Sequence, residues 1–169
     1  MSIFDLIGQI LLNLRSQGVE EVDDSAELAA AVRNQPRGAE AVYIYSTEGR
    51  PRPYLVSSYR EEGLVAMAFL DLDDVRLIKI DTSIDDLETK STTEVGEGKY
   101  AFVAPLAARE EGLYVAVGVK TVVEEEMLLG GYIDQLIDDF EDNRDHYFNK
   151  VLDSLKTHTG AQTHNPPKA

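Results

Sequence analysis

The hydrophobic period of this chain changes twice, and that change restricts its fold more than any other feature. Near the start, Ile3, Leu6, Ile7, Ile10, Leu11 and Leu14 recur at helical spacing. From Val42, aliphatic residues alternate with Tyr43 and Tyr45, as in a strand. From Leu129 the helical spacing returns, through Ile133, Leu136, Ile137, Phe140, Tyr147, Val151 and Leu155. Helices flanking a run of strands predict an α+β fold. The expected architecture is an antiparallel sheet of five or six strands, with an N-terminal helix and a long C-terminal helix packed on one face.

Local signals place the elements. Ser2 with Asp5 reads as a capping pair, and Gly18 as the C-cap of a helix over 3–17. Gly8 inside it is a small cost or a point of close packing. Residues 19–24 are an acidic connector. Ser25 to Asn34 is a short helix, ended by Pro36 and Gly38. Strands are expected over 42–45, 54–59 and 64–70. Asp73-Asp74 then breaks the run, and 75–80 is a fourth strand or a short helix. A short helix over 83–90, a polar loop over 91–98 and a hairpin from 99 to 123 follow. Glu124-Glu125-Glu126 suits the positive end of the last helix, with Gly130-Gly131 as its kink or true start. That helix runs to about Lys156. Residues 1–156 form one domain and 157–169 a disordered tail. Arg60-Glu-Glu-Gly-Leu64 recurs as Arg109-Glu-Glu-Gly-Leu113, where a glycine supplies hairpin-turn geometry. Coincident turn chemistry explains the repeat more simply than duplication.

Composition narrows the function. With 169 residues, the chain buries a core without disulfides or metals. It has no cysteine, which removes thiol nucleophiles and cysteine-ligated metals and suits a cytoplasmic setting. There are 31 acidic residues against 16 basic ones, a net charge of −15. Direct nucleic-acid binding and an anionic membrane surface are both disfavoured. A positive protein partner suits this charge, though an acidic surface also simply keeps a protein soluble. No stretch approaches the ~20 apolar residues of a membrane span. The run from Ile3 to Leu14 reads as a core helix and not a signal peptide.

The search for catalytic chemistry yields little. Gly96-Glu-Gly98-Lys-Tyr-Ala101 matches a dinucleotide fingerprint, but it precedes a strand where it should open a helix. Asp71, Asp73 and Asp74 lack the continuation of a calcium loop and read as a turn. Asp142 and His146 share a helix face, and a surface hydrogen-bonded pair is the simpler reading. No cofactor is expected. Two features suit a protein partner. Tyr43, Tyr45 and Tyr54 are interface-capable strand residues; if the aliphatic set faces the helices, Tyr43 and Tyr45 face outward. Asp138 and Asp142, on the acidic final helix, are candidates for docking a basic segment, or part of a solvated face.

The apolar N-terminal helix (Ile3–Leu14), the strands over Val42–Leu70, the hairpin over Tyr100–Val119 and the acidic closing helix (Asp138-Asp139-Phe140 through Asp145-His146-Tyr147-Phe148 to Leu152) resemble the YbjN-like group of the type III secretion chaperone-like fold. The resemblance implies a small, acidic, non-enzymatic and dimeric protein that binds a segment of another protein. The expectation is therefore a chaperone-like or adaptor-like module, a homodimer, with no nucleic acid or membrane partner. The alternative is a metal- or small-ligand-binding protein, or an enzyme, using carboxylates such as Asp71, Asp73 or Asp142.

Overall fold

The computed structural model describes residues 2–79 and 87–158. It is α+β, as the periodicity predicts. Helix α1 (Ile3–Ser16) is closed by the expected capping box between Ser2 and Asp5, and Gly18 follows it at φ 83°. Strand β1 (Glu20–Val22) occupies the acidic connector. Helix α2 (Ser25–Asn34) is capped by Asp24, which accepts from the amides of Ala26 and Glu27. Strands β2 (Glu40–Tyr45), β3 (Tyr54–Glu61) and β4 (Leu64–Ile78) come next. Helix α3 (Leu87–Ser91) and strand β5 (Thr93–Gly96) lead to β6 (Lys99–Arg109) and β7 (Gly112–Glu124). The last described elements are α4 (Gly130–Asp142) and α5 (Arg144–His158). Residues 80–86, which include the start of the expected 83–90 helix, and most of the expected tail lie outside the described residues.

Among the described residues the sheet has seven strands in the order β1-β2-β3-β4-β7-β6-β5, so two more short strands form its edges than the pattern reveals. It is mixed, because β1 pairs with β2 in parallel while every other pairing is antiparallel. β4 runs straight through the Asp73-Asp74 break. Asp71 pairs with Val117 and Val75 with Ala116, so Leu72–Asp74 bulge out of the ladder. The repeated turn sequence is used differently in its two copies. Gly63 sits in the turn, whereas Gly112 is the first residue of β7.

The expected placement of the terminal helices on one face is corrected. One core lies between the sheet and α2, α4 and α5, and contains Tyr43, Tyr45, Tyr54, Val56, Val65, Phe69, Val117, Phe140 and Val151. A second core, with Ile7 and Leu11 of α1 against Ile44, Leu72 and Ala116, lies on the opposite face. The strands reverse their expected sides accordingly. Tyr43, Tyr45 and Tyr54 point at the helices, and Ile44 and Leu55 point at α1. Burying a tyrosine is tolerable when its hydroxyl finds a partner. Tyr43 has Gln35 at 3.0 Å, and Tyr54 has Glu141 at 2.8 Å. Gln35 completes this inner polar site by also accepting from Ser58 at 2.6 Å and donating to the Ala39 carbonyl at 3.2 Å.

The expected single C-terminal helix is also corrected. It breaks at Asn143, whose backbone leaves helical geometry and whose side-chain amide donates to the Asp139 carbonyl at 2.9 Å. The break lets α4 pack on α2, and α5 on α3, β5 and β6. The Glu124–Glu126 run does not open α4. It spans the end of β7 and the first two residues of a 3-10 turn (Glu125–Met127), and Glu125 pairs with Arg60.

On the α1 side, Phe102 lies over Gly118. A Cβ on Gly118 would come within 2.5 Å of the Phe102 ring and 2.7 Å of the Phe69 carbonyl oxygen. Gly118→Val is therefore expected to lower stability by about 1–3 kcal/mol through overpacking. Urea unfolding of the variant beside the native protein checks this; an unchanged midpoint would mean that Phe102 does not occupy that space.

Candidate functional site

Two places in the fold gather functional side chains. The first is an ionic seam at the β4 bulge. Asp71 is fully buried, with Arg50 donating to one carboxylate oxygen at 2.5 Å and Arg144 to the other. The Asp73 amide adds a bond of 2.9 Å. Arg144 also reaches Asp74 at 3.1 Å, Arg76 joins Asp74 to Asp145, and Arg50 joins Asp71 to Glu141. The guanidinium of Arg50 lies 4.5 Å from the Tyr54 ring centre, and that of Arg144 5.0 Å from that of Phe140.

Electrostatics fix the protonation states here. Burial pushes the Tyr54 phenol well above its usual range, and the Asp71 charge pushes it further, so it stays a donor to Glu141. Burial alone would raise the Asp74 carboxyl. Hydrogen bonds from Arg76 and Arg144 outweigh it and hold that carboxyl below its ordinary value. Burial would lower Arg144, but Asp71 and Asp74 more than offset it and keep the guanidinium charged.

The seam corrects the reading of Asp71, Asp73 and Asp74 as a turn: they sit in a bulge whose cations are arginines. Asp73 lies 4.0 Å from Arg52. Among the described residues, no group of three or more metal-ligating side chains converges. Asp142 and His146 fall on different helices, either side of the Asn143 break, and no hydrogen bond joins them. The Gly96–Gly98 motif is the turn of the β5–β6 hairpin, with Gly98 at φ 68°.

The second place is the half of the sheet that α1 leaves bare. The registers lay it out in rows. Ile44, Leu55, Leu70, Gly118 and Phe102 form the row that borders α1. Beyond it lie Val42, Ser57, Ala68, Lys120 and Tyr100, then Glu40, Tyr59, Ala66 and Val122. Glu61, Leu64 and Glu124 form the outermost row. Ser57, Ala66 and Ala68 make a low floor, and Tyr59 and Tyr100 rise on either side of a shallow groove. Val42, Tyr59, Leu64, Tyr100 and Val122 are all exposed, Val122 by 56%. Three carboxylates, Glu40, Glu61 and Glu124, end these rows, and among the described residues none of them is in an ion pair. The Tyr59 hydroxyl donates to Glu61 at 2.8 Å, and with burial and the charges of Glu61 and Glu40 this bond raises its pKa.

The residues expected to bind a partner are distributed otherwise. Tyr43, Tyr45 and Tyr54 are buried under the helices and cannot meet another chain directly, which corrects the outward tyrosine face. Asp138 and Asp142 stand exposed on α4, away from the groove. The missed residues are the alternate set on the same strands. Their signal was present in Leu64–Leu70 and Leu113–Val123, which are apolar at nearly every position, as strands with two apolar faces are. No family model matches the chain, and no curated protein or solved structure is significantly similar to it. No helix among the described residues is long and apolar enough to cross a membrane.

Removing one partner of a buried ion pair strands the other charge. Asp71→Asn is therefore expected to cost about 3–5 kcal/mol, far more than Asp142→Asn on the exposed face. Chemical denaturation of both variants tests the contrast. The depressed Asp74 carboxyl also sets a pH window. Its stabilisation is complete above the unfolded-chain value of about 4 and is lost as pH falls through the lower folded-state value. Unfolding midpoints measured from pH 7 down to about pH 2.5 should fall in that acid range, and less so in Asp74→Asn.

Proposed function

We propose that this protein is a non-enzymatic, chaperone-like or adaptor-like module that binds a basic, amphipathic helical segment of another protein on the bare half of its sheet. The observation that carries this reading is the groove itself. Its floor is built from Ser57, Ala66 and Ala68 beside Lys120, whose charge is met by Glu88, its rim is apolar and aromatic, and carboxylates without ion pairs lie at one end. Tyr59 on β3 and Tyr100 on β6 stand three strand spacings apart, about 14 Å, which accommodates a helix about 10–12 Å across. The other half of the same face already holds a helix, α1, seated by Ile7, Leu11 and Leu14. Glu40, Glu61 and Glu124 add a requirement for Lys or Arg beside the apolar stripe. The kinship to the YbjN-like group and a cytoplasmic setting belong to the same proposal.

A fluorescent amphipathic peptide of about 18 residues, built from Leu and Lys, serves as the probe, with its Leu and Glu counterpart as the control. The full chain is expected to bind the Lys peptide saturably and the Glu peptide at least about tenfold more weakly, with affinity falling as salt rises. Val122→Asp should weaken the Lys peptide about tenfold or more. Asp138→Asn with Asp142→Asn, on the acidic face of α4, should leave it unchanged. Absence of saturable binding, equal binding of both peptides, or loss confined to the α4 variant would overturn the reading.

A further inference from the structure

The floor of the bare sheet groove is lowest over β4, where Ala66 and Ala68 carry only methyl groups. Ser57, opposite Ala68 on β3, widens the dip, and Val122, opposite Ala66 on β7, closes its other side. β3 and β7 stand two strand spacings apart, about 9.5 Å, which leaves room for one flat ring between their side chains. Tyr59 and Tyr100 make the rim.

The polar groups around the dip differ in what meets them. Lys120 has Glu88 at 3.2 Å and lies 4.9 Å from the Phe102 ring centre. The Tyr59 hydroxyl donates to Glu61. The half-buried hydroxyl of Ser57 makes no hydrogen bond among the described residues. In the open groove water meets it. An apolar helix laid over the groove strips that water, and a buried hydroxyl without a partner opposes binding. The helix backbone cannot answer, because its amides and carbonyls bond to each other. The side chain that enters the dip must therefore supply both bulk and a hydrogen-bonding group.

Size and shape decide which side chain does so. Ser, Thr and Asn leave the space over Ala66 and Ala68 unfilled. Tyr descends tip first and would press its hydroxyl on those methyl groups. Trp sets apolar carbon on the floor and projects its indole N–H from the flank of the ring, where the Ser57 oxygen can accept it.

We infer that the segment held in this groove is anchored by one tryptophan, whose ring fills the dip over Ala66 and Ala68 and whose N–H donates to the Ser57 hydroxyl. The inference rests on the proposed peptide site and names the side chain that this site selects. A ring seated in a desolvated pocket near the centre of an interface carries much of its binding energy.

The chain has no tryptophan, so a tryptophan in a peptide reports its own surroundings. Three forms of the Leu and Lys peptide are the probes. They are the parent, one with a central Leu replaced by Trp, and one with naphthylalanine there, which keeps a bicyclic ring and lacks the N–H. Titration calorimetry with the full chain should rank Trp above naphthylalanine by about fivefold, the worth of one hydrogen bond, and naphthylalanine above Leu. On binding, the Trp emission should shift to the blue and become shielded from iodide. Ser57→Ala should bring the Trp and naphthylalanine affinities within about twofold of each other. Ala68→Leu, which fills the dip, should remove the advantage of both rings over Leu, with circular dichroism confirming that both variants are folded. Asp138→Asn should keep the native ranking. A parent peptide that binds saturably with no gain from Trp, or a Trp advantage over naphthylalanine that survives Ser57→Ala, would overturn the anchor and leave the groove reading standing. Absence of binding by all three peptides would overturn both.

Discussion

The buried carboxylate of Asp71 is the constraint around which this fold is arranged. A charge with no exposure to solvent must be met from within the chain, and it is met from two distant segments. Arg50 comes from the loop between β2 and β3, and Arg144 from the first turn of α5. Those two contacts pin a loop and a helix to the centre of the sheet. The break at Asn143 belongs to the same arrangement. Arg144 sits immediately after it, and Glu141, two residues before it, takes up Arg50 and Tyr54. The β4 bulge supplies the other half, because it holds Asp71 and Asp74 where one guanidinium can bridge both.

The two faces of the sheet are closed to different extents. Among the described residues the helix side is filled by four helices and includes Tyr43, Tyr45, Tyr54, Phe69 and Phe140. The other side has, among the described residues, α1 alone, seated on a handful of aliphatic residues near one end of the strands. A sheet half covered in this way keeps a flat apolar surface beside a helix. That arrangement suits the addition of one more helix better than the enclosure of a small molecule.

Much of this could be read from the residues. The cap of α1, the bounds of α2 and the hairpins followed from periodicity and turn chemistry, while Gly130-Gly131 stood open between a kink and the start of α4. The reading failed where tertiary context overrides local signals. The bulge is an odd insertion of three residues, so odd-numbered positions of β4 face the helices before it and even-numbered ones after it. A phase change of that kind looks like the end of a strand. β1 is held by its parallel pairing with β2, which its acidic sequence does not announce. Tyr43 and Tyr45 alternate with Val42 and Ile44, and both sets are apolar enough to go inside. The hydroxyl partner Gln35, eight residues before Tyr43 and shared with Ser58 of β3, is what the alternation does not announce. The groove was hidden for the same reason, since its residues are the complement of a wrongly assigned set.

The modest seat of α1 has a consequence for how the protein ages and misfolds. Detachment of α1 alone would leave the charged seam and the helix-side core intact, yet it would join the bare rows to Ile44, Leu55, Leu70 and Leu72 in one continuous apolar expanse. Such a partly opened form would be aggregation-prone, and would need only sub-global opening, not full unfolding. The large negative charge then acts as a colloidal safeguard, keeping two opened copies apart long enough for the helix to return.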